Sequence, residues 1–140
     1  LISSACTHKG QGLISAAAKL NTPIESIISV TLHGYVKWFA ELNQSKDHRL
    51  FFLNVPAPIY NERYSARVNE EVKCTIKLFN NMLAMIISDY DFDLIDVFKF
   101  TVGTDDFSNG LFHIDNLHLS SDAIPKIEKQ LGALNKHNFN

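Results

Sequence analysis

The 140-residue chain is 46% apolar and 20% charged with a net charge of -2, the usage of an ordinary globular domain rather than of a disordered tail. That charge balance, with Lys and Arg scattered, excludes the basic field that a nucleic-acid backbone needs. No uninterrupted apolar run approaches the roughly 18 residues of a membrane span.

Two cysteines, Cys6 and Cys74, are too few for a disulfide framework, and both read as buried free thiols, which leaves the compartment open. No internal repeat, low-complexity tract or long linker interrupts the chain, so residues 1–140 are expected to form a single domain.

Residues 1–22 mix small residues with Gly10 and Gly12 and show no clear period. From Thr22 the pattern sharpens. Thr22 can cap a helix with Pro23 at its first position and Glu25 in the first turn. Ile24, Ile27, Ile28, Tyr35, Phe39 and Leu42 then recur at helical spacing, predicting a helix of about 20 residues. Within it Gly34 is expected to mark close packing, and Tyr35, Trp38 and Phe39 to belong to the core.

After a polar break at 43–48, Arg49 to Val55 (RLFFLNV) is apolar at nearly every position and stops at Pro56 and Pro58. That profile suits a strand covered on both faces, as in a parallel sheet. The segment from about Ser65 to Ser88 places Val68, Val72, Ile76, Phe79, Leu83, Ile86 and Ile87 on one helical face. Asp93 to Phe98 (DLIDVF) reads as a second buried strand. A loop from Lys99 to Leu119 follows, and Ser120 or Ser121 can cap a last helix reaching about Leu134. Strands joined by a helical crossover are parallel, so the expected class is α/β.

In such folds ligands bind beyond the carboxyl ends of the strands, which singles out the loop from Lys99 to Leu119. It is longer than an ordinary connection and holds His113, Asp115 and His118. A carboxylate three residues before an imidazole can accept the Nδ1–H, fixing the tautomer that leaves Nε2 free to take a proton from a hydroxyl nucleophile. The spacing alone is unspecific; its setting is less so. A buried strand, an Asp-rich loop, Asp115-Asn116-Leu117-His118-Leu119-Ser120 and a closing helix together resemble the final block of the SGNH/GDSL hydrolases. There a D-x-x-H supplies the triad Asp and His just before the C-terminal helix. The likeness extends over about residues 49–134. RLFFLNVPAP is similar to the family's strand ending in prolines, and Arg67 to Phe98 is similar to its long helix and next strand.

The resemblance implies a parallel-sheet, three-layer flavodoxin-like architecture of which this chain is the incomplete, C-terminal half. It implies hydrolysis of ester bonds, in acyl esters or acylated carbohydrates, by a Ser-His-Asp triad without a cofactor. Carried over, His118 is the general base and Asp115 its orienting partner. The family's G-D-S-type nucleophile block and its Gly and Asn oxyanion blocks are not legible in this chain. Ser3 and Ser4, in LISSACTH, have too few strands before them to replace the serine, so the chain by itself is expected to lack esterase activity.

Two other readings compete. His113, Asp115 and His118 could form a zinc site, although i, i+2, i+5 does not fit one helical face. A non-catalytic binding or interaction domain of the same fold, dimeric or domain-swapped, is the other. Asp105, Asp106 and Asn109 before Gly110 depart from the EF-hand spacing and read as a solvated turn. His8, His33, His48 and His137 lack a partner at useful spacing, and Cys74 lacks a nearby His.

Overall fold

The computed structural model describes residues 12–45, 48–116 and 118–136. Its elements are α1 (Leu13–Leu20), α2 (Ile24–Leu42), β1 (Phe51–Leu53), α3 (Ala66–Asp89), β2 (Asp93–Ile95), α4 (Val97–Thr101), a 3-10 turn (Ser121–Ala123) and α5 (Ile124–Lys136). The class is α/β. β1 and β2 pair in parallel, Phe51 with Asp93, Phe52 with Leu94 and Leu53 with Ile95. The sheet of the described residues has those two strands alone, so the full three-layer flavodoxin-like architecture is not built by them.

The core forms where the apolar stripes of α2 and α3 meet β1. Ile28, Leu32 and Val36 cluster with Ile76, Phe79, Leu83 and Ile87, and Phe52 and Val55 belong to the same cluster. Phe52 anchors this junction through edge-to-face contacts with Tyr35 and Phe39 and a stacked contact with Phe92. Such ring pairs add to what burial alone contributes.

Both strands are shorter than their apolar runs. Beyond Leu53 the chain leaves the ladder, because two prolines follow and Pro has no N–H to donate. Side chains replace the missing strand partners. Asn80 Oδ1 accepts from Val55 N–H and its Nδ2 donates to Val55 C=O, each at 2.8 Å, and Thr101 Oγ1 accepts from Ala57 N–H at 2.9 Å. Asp96 ends β2 because its carboxylate accepts from the N–H of Lys99 and caps α4. DLIDVF is therefore three residues of strand and the start of a helix, since a local cap outcompetes further pairing.

Other expectations are corrected. Residues 13–20 are helical despite their weak period, closing on Asn21 at φ 48°. Thr22 does not cap α2; Pro23 occupies the cap position without a side-chain bond, and Thr22 Oγ1 instead donates to Leu20 C=O at 3.1 Å. Gly34 does not mark close packing: among the described residues beyond its own helix backbone, nothing lies within 4 Å of where a Cβ would stand. Trp38 is 55% and Leu42 63% exposed, whereas Tyr35 and Phe39 do pack on the core. Cys74 is a free thiol at the surface, not buried; Cys6, with Ser3, Ser4, His8 and His137, lies outside the described residues. His33 and His48 are exposed. None of the described helices is long and apolar enough to cross a membrane.

The last helix is fixed from both ends. Ser120 caps the turn that opens it, accepting from Asp122 N–H. At the far end Arg49 donates to Asp93 (2.7 Å), to the Asn135 side chain (2.7 Å) and to the Leu134 carbonyl (3.2 Å). Gln130 exchanges two hydrogen bonds with the backbone of Asp96. α5 is thus tied to both ends of β2, and the segment before it is held beside the sheet's carboxyl end.

Candidate active site

The loop between α4 and α5 is pinned at several points. Its first half folds back on itself through an antiparallel bridge between Val102 and Ser108. It also docks on the proline segment, where Ser108 N–H donates to Pro58 C=O at 2.8 Å. From α3, Lys77 pairs with Asp106. Lys73 donates to the Asp105 carbonyl at 3.2 Å while its ammonium lies 4.5 Å over the Phe107 ring. Asp105 accepts from Phe107 N–H, an Asx turn. The aspartates at 105 and 106 thus serve a turn.

The second half is a tight hairpin. His113 and Leu119 form an antiparallel bridge, Ile114 N–H donates to His118 C=O at 2.9 Å and Ser120 N–H to Phe112 C=O at 2.7 Å. Asp115 and His118 sit in the turn this pairing encloses. His118 Nδ1 lies 2.8 Å from Asp115 Oδ2, and the other carboxylate oxygen accepts from the backbone N–H of His118, also at 2.8 Å. One carboxylate thus holds the ring and the peptide of one histidine. The His118 side chain is 72% and the Asp115 side chain 51% exposed, so His118 presents its ring to solvent.

His113 stands in a different setting. It is half-buried, and its Nδ1 is 2.9 Å from Ser108 Oγ, which also accepts from Gly110 N–H at 3.0 Å. Burial pushes this imidazole below its ordinary value of 6.5, the nearby Asp115 carboxylate opposing. The ring and Asn116 help to line a cavity of about 110 Å³ whose other walls are the segment from Val55 to Ile59, Asn61 and Tyr64, α3 (Asn69, Val72, Ile76) and Phe107. His118 is not among the lining residues.

The hairpin therefore brings His113, Asp115 and His118 close in the chain but gives the two imidazoles separate partners. Among the described residues no three His, Cys, Asp or Glu side chains cluster to hold a metal ion, and the zinc reading of these three residues loses its geometric basis. The segment LISSACTH, in which none of the family's other blocks is legible, lies outside the described residues.

The residues that sequence reasoning missed are those that shape the cavity. Asn69 and Asn80 lie on the same helical face as Val72, Ile76 and Leu83. A polar residue repeated on an otherwise apolar stripe signals a buried backbone in need of partners. Comparison of the chain with family models, curated proteins and solved structures returns no match in any of the three.

Proposed function

We propose that this chain carries the Asp-His part of a Ser-His-Asp triad for ester hydrolysis, as the C-terminal portion of an SGNH/GDSL-type domain. His118 is the general base and Asp115 holds it. The observation that supports this reading is the 2.8 Å contact between Asp115 Oδ2 and His118 Nδ1 in the turn just before the last helix. An Nδ1–H donated to the carboxylate leaves Nε2 unprotonated, the form that can remove a hydroxyl proton and return it to a leaving group. In this reading the serine and the oxyanion donors come from polypeptide outside these 140 residues, and the substrate is an acyl ester or an acylated carbohydrate.

The test is hydrolysis of p-nitrophenyl acetate by this chain alone and by the chain joined to a segment bearing a Gly-Asp-Ser block. The chain alone should show no turnover above buffer, because both nucleophile and oxyanion hole are needed for more than background rates. The joined form should turn over and lose this on His118→Ala. Turnover by the chain alone that His118→Ala removes, or turnover in the joined form indifferent to that change, would overturn the reading. A second reading, a non-catalytic binding domain, is favoured by the cavity beside His113, which can hold a ligand without any nucleophile.

A further inference from the structure

The cavity has polar groups in its walls but few that a ligand could meet. Pro56 and Pro58 bring no N–H. Asn69, which is 3% exposed, spends its whole amide on local backbone: Oδ1 accepts from Asn61 N–H, and Nδ2 donates to the carbonyls of Asn61 and Ser65 and, at 3.4 Å, of Tyr64. Asn61 spends its Oδ1 on the Arg63 N–H and its C=O on Asn69, which leaves a largely apolar hollow with Tyr64 on the α3 side and His113 and Asn116 on the hairpin side as polar lining residues. Apolar cavities stay dry and admit apolar groups that fit them. Ser108 occupies His113 Nδ1, and among the described residues Nε2 has no hydrogen-bond partner, so the neutral ring keeps one polar atom for a ligand. Asn116, which follows Asp115 directly, links the cavity to the turn that holds the Asp-His pair.

We propose that this cavity receives a short unbranched acyl chain of about four carbons or fewer, with His113 Nε2 and the Asn116 amide meeting the polar end of the ligand. Size sets the limit. A cavity of about 150 Å³ accepts benzene, with six carbons; 110 Å³ leaves room for about four. Calling the chain an acyl group rests on the hydrolase reading, in which it belongs to the ester cleaved at the neighbouring pair. Binding itself needs neither the serine nor His118.

The experiment titrates propionamide, butyramide and hexanamide, stable stand-ins for the acyl half of an ester, into the isotope-labelled chain and follows its amide NMR signals. Shifts are expected at Ala57, Val72, Phe107 and His113, with weak affinity of millimolar order. Butyramide should bind about fourfold tighter than propionamide, the gain of one buried methylene, and hexanamide more weakly than butyramide. Val72→Trp should abolish the shifts. Val72→Ala should move the preference towards hexanamide, a readout that survives if the tryptophan variant fails to fold. Absence of shifts, shifts confined to other regions, or affinity that keeps rising through hexanamide in the unaltered chain would overturn the proposal. The two readings fail separately. Loss of amide binding leaves the Asp115–His118 assignment standing, whereas hydrolysis indifferent to His118→Ala leaves the cavity as a ligand site and removes only the ester.

Discussion

Asn80 does for Val55 what a neighbouring strand would do: it accepts the N–H and donates to the C=O of the same residue, both at 2.8 Å, from the middle of α3. The pairing lets β1 end at Leu53 while the chain runs on, buried, towards the prolines that line the cavity. Asn80→Ala leaves a buried N–H and a buried carbonyl without partners, each costing about 1–3 kcal/mol. The expected loss is about 2–4 kcal/mol in urea unfolding, whereas Asn81→Ala, one residue on and exposed, should stay within about 0.5 kcal/mol. Equal effects at the two positions would remove Asn80 from this role.

Asp115→Asn should change the proton on His118 more than the fold around it. The amide can still accept from the His118 peptide N–H, but it no longer offers the carboxylate that favours an Nδ1–H. Ring nitrogen chemical shifts should show a single Nδ1–H tautomer in the unaltered chain and a mixture in the variant. The melting temperature should move by no more than about 1 °C, because exposed ion pairs contribute little. An unchanged tautomer would mean that Asp115 does not orient the ring.

His113 predicts an acid limb in stability. Burial lowers its folded-state value below the unfolded 6.5, so around that pH the unfolded chain binds more protons than the folded one, and stability rises with pH. The stabilisation held by neutral His113 is complete above about pH 6.5 and is lost as the pH falls through the folded value. His113→Gln should lose less melting temperature than the unaltered chain between pH 7.5 and 5.5. Parallel curves for the two would place the acid limb in other groups.

The single tryptophan reports on the outer face of α2. Trp38, 55% exposed, should emit with a red-shifted, solvent-like maximum and be quenched by iodide at all protein concentrations. A second copy seated on that face would instead give an emission that shifts to the blue and resists quenching as concentration rises.

Periodicity is a local signal, and it located what is local. The α3 stripe from Val68 to Ile87, α2 from Ile24 onward and the closing helix after Ser120 were all readable, because a helix satisfies its own backbone and needs only one apolar face. The two strands were readable as places, not as lengths. RLFFLNV and DLIDVF are mostly apolar along their length, and apolar character cannot say where a ladder stops; Asn80 and the Asp96 cap decided that. Trp38 reads as core from spacing because helical spacing assigns a residue to a face only approximately; in the structure it is 55% exposed.

For the candidate site the division is similar. The three-residue interval between Asp115 and His118, set before a capped helix, is a property of the sequence by itself: it puts both groups in one turn, within reach of each other. Only the tertiary structure decided that His113, two residues before Asp115, turns instead to Ser108 and to a cavity built from the proline segment, α3 and Phe107. Those walls come from stretches of chain far apart in sequence, and a hollow exists only once such surfaces are packed together. Short-range chemistry is written in the spacing of neighbours; enclosed space is not.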